Sequence, residues 1–388
     1  PRPDATVWEK ISHEFSAFSA SFSEDYDSIG TVHGNDAITV WFLTSGAQIA
    51  ATASSGRDQG TILKGLIDNY FTPQTNVPVN LKLVDAGVLL PATLSGNAPD
   101  VAVNVTASEV LNYALRGAVH DVSSFDDFEE VTKDFHSNAF MPFTHQGKVY
   151  ALPQTMAFPV LFYRADILAE LGIEVPETWE DFLVCVAELQ KNNMNVGIPS
   201  DPPTFGMFLY QNGGSYYKND GQSSGLDSEE AIASFNKWTS LFTNFKTPVT
   251  YDFANRFRTG EMPLAIADYT NFSYLSVFAP EIRGLWSFTT VPGTNTGDGH
   301  IDRSVAAHET ATFMLSTSKR VDDAWAFMKW WMSEETQSEY GLETENVLGV
   351  AGRVATANVD ALANLPWSTT EYTNIEAQLG GVMVIPEV

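Results

Sequence analysis

Apolar residues recur along the chain with two spacings, and these divide it into predicted helices and strands. A period of three to four residues runs through 8–26, which is typical of an amphipathic helix. Short apolar runs predict strands at AITVWFL (37–43), VPVNLKLVD (77–85) and PDVAVNV (99–105). Helical patterns separate these strands, so the first third of the chain predicts a parallel sheet covered by helices.

The same alternation returns downstream. Strand patterns occur at GKVYALPQT (147–155) and VLFYRADIL (160–168). Three strong helical patterns are PETWEDFLVCVAELQKN, with Thr178 and Asp181 in capping positions; GLDSEEAIASFNKWTSLFTNF, with Asp227 and Glu230 in those positions; and RVDDAWAFMKWWMSEETQSEY. We therefore predict an α/β fold throughout.

The stretch MPLAIADYTNF (262–272) changes character within a few residues. Met262 to Ala267 reads as a buried strand, and it is followed directly by polar and aromatic residues that include Asp268, Tyr269 and Asn271. Ligands of open α/β sheets bind beyond the carboxyl ends of the strands. We therefore expect this tip to reach a ligand.

Length and charge narrow the choice of function. A chain of 388 residues exceeds the usual size of a single core, so two lobes are expected. Asp and Glu number 48 against 21 Lys and Arg, which gives a formal charge of -27. Such a field repels nucleic acid and anionic lipid and disfavours a strongly anionic ligand. A neutral ligand rich in hydroxyl groups fits better.

Several common chemistries have no motif in this sequence. Seven histidines include no His-x-x-x-His pair, and Cys185 is alone and lies at a helical core position. We therefore expect no metal and no cofactor. Asp298 lies between glycines in a weak echo of a calcium loop, but a solvated turn explains that segment better.

Four segments carry a family resemblance. They are LSGNAPDVAV (94–103), GKVYALPQTMAFPVLFYRADILAELGIEVPETWEDF (147–182), FRTGEMPLAIADY (257–269) and DDAWAFMKWWMSEETQSEYG (322–341). In content and order they resemble the extracellular solute-binding proteins of bacterial ABC importers, in the sugar-binding group that includes the maltodextrin-binding proteins. The resemblance covers the chain from about residue 37 to its end.

The resemblance implies a periplasmic-binding-protein type II fold, with a mainly parallel sheet flanked by helices in each of two lobes. Lobe I would comprise 36–143 and 300–352, and lobe II 144–299 and 353–388. Residues 1–35 would form an additional amphipathic helix or linker. We expect the chain to be a trimmed piece of a longer protein, because PRPDATVWEK carries no export signal and VMVIPEV ends within a predicted strand.

The family binds its ligands with loops that follow strands, and this implies the ligand contacts here. The expected contacts are Arg57, Asp58, Asn104, Thr106, Gln154, Thr155, Phe158, Tyr210, Gln211, Asp268, Tyr269, Asn271, Trp286, His308, Glu309 and Trp367. Planar polar side chains would bind sugar hydroxyls, while aromatic rings such as Trp286 and Trp367 would stack on the apolar faces of the sugar.

By resemblance, the protein captures a carbohydrate, most plausibly an oligosaccharide, and delivers it as a monomer to the permease of an ABC importer without chemical change. The expected location is outside the cell, either anchored as a lipoprotein or periplasmic, although no lipid-anchor cysteine lies near residue 1. Two alternatives stay open. One is a glycosidase that uses Asp268 and Glu309. The other is a carbohydrate-binding or adhesion module of a larger surface protein.

Overall fold

The computed structural model describes residues 28–30, 33–34, 36–44, 56–219, 222–297 and 299–385. The amphipathic segment predicted at 8–26 lies outside this range. The strands are β1 (Ile38–Leu43), β2 (Val79–Val84), β3 (Val101–Thr106), β4 (Thr144–His145), β5 (Lys148–Val149), β6 (Leu152–Ala157), β7 (Pro159–Arg164), β8 (Val196–Gly197), β9 (Tyr217–Lys218), β10 (Ser223–Ser224), β11 (Leu264–Asp268), β12 (Trp286–Thr289), β13 (Thr294–Asn295), β14 (Ile301–Asp302), β15 (Val305–Met314) and β16 (Val382–Val384).

Helices alternate with these strands. They are α1 (Gly56–Leu66), α2 (Thr72–Thr75), α3 (Leu89–Ser95), α4 (Ala107–Leu115), α5 (Phe128–Thr132), α6 (Ala165–Leu171), α7 (Trp179–Lys191), α8 (Pro202–Gln211), α9 (Glu229–Thr243), α10 (Phe253–Thr259), α11 (Asn271–Phe278), α12 (Val321–Met332), α13 (Glu334–Leu348), α14 (Val359–Asn364) and α15 (Thr369–Leu379). None of the helices in the described part of the chain has the length and hydropathy that crossing a bilayer requires.

The larger sheet has the strand order β16-β15-β3-β1-β2, and β6 also pairs with β15. Strands β1, β2 and β3 of this sheet run parallel, as the alternation of strands and helices predicts, with Ile38 opposite Val79 and Val40 opposite Val101. These four side chains are at most 1% exposed. Burial of such continuous apolar strands from both faces stabilises a parallel sheet between helices.

The smaller sheet has the order β12-β7-β11-β8 and is mixed. Strand β7 runs antiparallel to both of its neighbours, and only β8 and β11 are parallel. This departs from the mainly parallel sheet expected in each lobe. Strand β7 enters this sheet directly from β6 of the larger sheet, through Phe158 alone, whereas β8, β11 and β12 are each reached through helices, as parallel strands require. Two sheets with flanking helices confirm the predicted two-lobed α/β fold.

Strand β15 is the longest strand of the larger sheet and pairs with three others. It pairs with β16 through residues 305–307, with β6 through 308–312 and with β3 through 310–314. Beside β6, the amide of Met156 donates to the carbonyl of Ala355 at 2.8 Å, and the amide of Ala357 donates to the carbonyl of Gln154 at 3.0 Å. The lobe boundaries given above stay a prediction.

Several local predictions can be compared with the structure directly. Helix α7 begins with the predicted capping box of Thr178 and Asp181. Helix α9 is capped instead by Ser228, whose hydroxyl accepts from the amide of Ala231 at 3.2 Å, one residue beyond the predicted cap. A serine hydroxyl satisfies the free amides of a first turn as well as a carboxylate does. Cys185 is buried, as predicted.

Candidate functional site

Three ionisable side chains lie in the region where β6 of the larger sheet passes into β7 of the smaller one. His308 lies opposite Ala157 and Asp268 opposite Pro159, and Asp201 follows β8, the parallel neighbour of β11. Asp268 ends β11 at a partly exposed position, His308 is exposed on β15, and Asp201 caps α8 by accepting from the amide of Thr204 at 2.9 Å. Enclosure by the surrounding protein raises the pKa of Asp268, the nearby His308 lowers it, and the charge of Asp201 raises it. We call Asp201, Asp268 and His308 the junction cluster.

Sequence reasoning selected two members of this cluster and missed Asp201. The segment SDPPT carried the signal, because an Asp before Pro-Pro-Thr is typical of a helix N-cap. Tyr210 and Gln211, which were expected as ligand contacts, lie at the opposite end of α8 from Asp201.

Glu309 follows His308 on β15 and lies opposite Met156. Its residue exposure is 7%, and neither carboxyl oxygen has a hydrogen-bond partner among the described residues. Burial raises the pKa of Glu309 well above its usual value. A carboxyl in this position therefore favours the protonated, neutral form.

The side chains of Asn104 and Gln154 link strands β1, β3, β6 and β15 of the larger sheet through hydrogen bonds. Asn104 has the left-handed φ of 63°, and its side-chain amide donates to the carbonyl of Leu43 at 2.8 Å. The backbone amide of Asn104 donates to Oε1 of Gln154 at 2.8 Å, and the hydroxyl of Thr312 donates to the same oxygen at 2.9 Å. These groups already have protein partners and maintain the geometry of the junction.

Two threonines meet across the β6–β15 pair. The hydroxyl oxygens of Thr155 and Thr310 are 2.7 Å apart. Thr106, at the end of β3, donates its hydroxyl to Glu109 at 3.2 Å. Arg57 and Asp58 lie exposed in the first turn of α1, after a segment outside the described residues.

Tyr269 and Phe158 are buried behind Asp268. Tyr269 is 1% exposed, and its hydroxyl donates to the carbonyl of Met156 at 3.2 Å. Its ring centroid is 4.7 Å from that of Phe158. Asn271 donates its side-chain amide to the carbonyl of Asp268 at 3.0 Å. In this conformation the tip therefore presents Asp268, while Tyr269 supports it from the core.

Gln211 is also committed to the interior. It is 2% exposed; its oxygen accepts from the indole of Trp179 at 2.6 Å, and its nitrogen donates to the carbonyls of Pro292 and Ser304 at 3.2 Å. The neighbouring Tyr210 donates to the carbonyl of Val384 at 2.8 Å.

Trp286 and Trp367 both pack on Phe272, and the Trp367 ring also lies 6.0 Å from that of Tyr269. The Trp286 ring packs 5.5 Å from Phe272, and the guanidinium of Arg353 lies 4.3 Å from the ring centre of Trp367. Trp286, Phe272 and Arg353 line a pocket of about 410 Å³ that includes no member of the junction cluster. Within the described ranges, no three His, Cys, Asp or Glu side chains are grouped closely enough to hold a metal ion. Asp298 lies outside those ranges.

Comparison with known proteins identifies a family. The sequence model of the family described as bacterial extracellular solute-binding protein matches residues 53–338. A curated relative, the arabinooligosaccharide-binding protein of Halalkalibacterium halodurans, is 28% identical over 151 residues. That match covers 37% of this chain and 33% of the relative, so it spans about a third of the relative's length.

Solved structures share the whole fold. The sugar-binding protein MalE of Xanthomonas citri superposes with a TM-score of 0.72 at 15% identity, over 91% of this chain and 87% of the other. A solute-binding protein of an ABC transporter from Thermotoga lettingae, bound to α-D-tagatose, gives 0.66 at 19% identity, over 91% and 90%. At these identities the likeness establishes the fold alone, and it agrees with the predicted two-lobed architecture.

Proposed function

The chain belongs to the bacterial extracellular solute-binding protein family, and from this premise we propose that it captures a carbohydrate, most simply an oligosaccharide, between its two lobes. It then delivers the sugar to the permease of an ABC importer. The junction cluster carries this proposal, because its two carboxyls follow the adjacent parallel strands β8 and β11 and its imidazole lies on β15 opposite Ala157, where the sheets meet. Ligands of α/β sheets bind at such edges.

The chemistry of the cluster suits a neutral sugar. Carboxylates accept hydrogen bonds from hydroxyl groups, and an imidazole can donate or accept one. The net charge of -27 and the two carboxyls of the cluster disfavour an anionic ligand. The names of the relative and of the two solved proteins refer to an arabino-oligosaccharide, to sugar and to tagatose, which supports the same class.

The glycosidase alternative has one observation in its favour. Glu309 is a carboxyl whose pKa is raised by burial, which is the state that a general acid requires. Both of its oxygens are enclosed, however, so a substrate does not reach them in this conformation. We therefore propose binding without turnover.

The place of action follows from the proposed role. A receptor that delivers sugar to an importer works outside the cytoplasmic membrane, either anchored at the cell surface or in the periplasm. We propose that it acts there as a monomer, with the permease as its protein partner.

The test is a thermal-shift screen of mono- and oligosaccharides, followed by titration calorimetry and by chromatography of the sugar after incubation. We expect a neutral sugar to raise the melting temperature and to be recovered unchanged. The test variant carries Asp201→Asn and Asp268→Asn, which remove both carboxyls of the junction cluster. Asparagine caps a helix as well as aspartate does, so α8 keeps its N-cap. That variant should fold and show a much smaller shift.

Each contrary outcome is specific. Hydrolysis of the bound sugar would replace the receptor by an enzyme. Absence of any ligand among sugars, amino acids and peptides would leave the surface module as the better explanation. A full shift in the double variant would move the site away from the junction cluster.

A further inference from the structure

An apolar groove runs between helices α8 and α9. It encloses about 590 Å³, and its walls are mainly the side chains of Phe205, Leu226, Ile232, Phe235 and Trp238. Phe235 is 50% exposed and Ile232 is 54% exposed, although both are large apolar residues. A concave apolar patch of this kind on a protein with a formal charge of -27 marks a place where something binds.

The three aromatic rings form a curved wall. The Phe205 centroid lies 5.8 Å from that of Trp238 and 6.0 Å from that of Phe235, at interplanar angles of 44° and 74°. Phe235 and Trp238 are 5.9 Å apart at 67°. Rings set at these angles surround a guest from several sides, whereas a flat platform would contact one face.

One end of the groove reaches the junction cluster. Asp201 lines the groove and follows β8, and Asp268 ends β11, which pairs with β8 in parallel with Ala265 opposite Gly197. Pro202, the next residue, also lines the groove and begins α8. A ligand held at Asp268 and His308 therefore has the groove directly beside it.

The groove offers few polar partners. Ser200 and Asp201 are its hydrophilic members, but the hydroxyl of Ser200 donates to the carbonyl of Val249 at 3.1 Å and Asp201 caps α8. A second sugar ring enclosed here would lose water from its hydroxyl groups without replacement, which is unfavourable. An apolar ring or a branched alkyl group loses nothing in this way and gains by leaving water.

We propose that the groove binds an apolar group attached to the captured sugar, so that the preferred ligand is a glycoside with an aromatic or alkyl aglycone. This inference rests on the proposed function. The sugar lies on the junction cluster, and the aglycone enters the space between Phe205, Phe235 and Trp238.

The experiment compares methyl and phenyl glycosides of the same sugar by titration calorimetry. For the wild type we expect the phenyl glycoside to bind roughly ten- to a hundredfold more tightly, because it buries an additional ring. In Phe235→Ala the ratio of the two affinities should fall to within about twofold of one, because the wall of the groove is removed. The control is Val184→Ala, at an apolar residue on α7 that is 62% exposed, against 50% for Phe235, and does not line the groove.

The outcomes separate the two proposals. If no sugar and no glycoside binds the wild type, the proposed function fails and the groove inference fails with it. If sugars bind but the phenyl group gives no advantage, or if Phe235→Ala keeps that advantage, the groove inference alone is overturned. An advantage lost equally in Val184→Ala would also overturn it.

Discussion

Polar side chains at the meeting point of the sheets fall into two regions that lie next to each other. The outer region is the junction cluster, Asp201, Asp268 and His308. The inner region lies behind it and contains Tyr269 and Gln211, whose polar atoms bond to other parts of the protein. Residues of both regions lie just after strands or at helix ends. Only those of the outer region present side chains that a ligand can contact in this conformation.

The difference lies in how each side chain satisfies its hydrogen bonds. Oxygen and nitrogen atoms of Gln211 bond to Trp179, Thr294 and two carbonyls, so they are not available to a sugar. Asp268 instead lies at a partly exposed position and His308 at an exposed one. Inner residues should therefore control stability, and outer residues should control binding.

The largest effect should follow from Tyr269→Ala. This substitution removes a ring that is 1% exposed and packed 4.7 Å from Phe158. We expect the free energy of unfolding to fall by about 3–5 kcal/mol in urea denaturation. Tyr269→Phe keeps the ring and loses only the bond to the carbonyl of Met156, so it should cost about 1 kcal/mol. If Tyr269→Ala left the free energy of unfolding unchanged, Tyr269 would belong to the outer region.

Gln211→Ala should give the next largest loss of stability. It leaves the indole nitrogen of the buried Trp179 without its acceptor, and we expect a loss of about 2–3 kcal/mol. Gln222→Ala, at an exposed position, should change the unfolding free energy by less than about 0.5 kcal/mol. Equal effects of the two substitutions in urea denaturation would contradict the assignment of Gln211 to the inner region.

The sequence could predict the elements but could not divide the site between these regions. Short apolar runs were sufficient to predict β1, β2 and β3, and the capping residues Thr178 and Asp181 were sufficient for the start of α7, because local propensity and burial agree there. The tip after β11 was also placed correctly at a strand end. Which of two neighbours, Asp268 or Tyr269, faces the core depends on the distant carbonyl of Met156, and no local pattern carries that information. The position of Asp201 near β11 likewise depends on the pairing of β8 with β11, which no local pattern predicts.

Glu309→Gln should give a smaller and pH-dependent effect. Burial raises the pKa of Glu309 in the folded protein above its value in the unfolded chain. Between these two pKa values, folded molecules therefore hold more protons than unfolded molecules do. Stability of the wild type should then fall by up to about 1.4 kcal/mol per pH unit from this group until its folded pKa is reached. The glutamine variant lacks this loss.

Urea denaturation between pH 5 and pH 7 measures the effect. We expect Glu309→Gln to be more stable than the wild type, with an advantage that grows with pH. Because neither oxygen has a partner among the described residues, the advantage at neutral pH should be about 1–3 kcal/mol. A constant difference between the two proteins across this range would show that Glu309 is charged in the folded state.

The smallest changes in stability should come from Arg57 and Asp58, which the family resemblance implies as ligand contacts from the larger sheet. Both are exposed in the first turn of α1, where the helix dipole favours negative charge and disfavours positive charge. Arg57→Ala should therefore raise the unfolding free energy by about 0.3 kcal/mol, whereas Asp58→Ala should lower it by about 0.5 kcal/mol. Opposite signs in stability together with a loss of sugar affinity in both variants would mark these residues as ligand contacts. Opposite signs with unchanged affinity would leave them as residues that only begin the helix, and would confine the outer region to Asp201, Asp268 and His308.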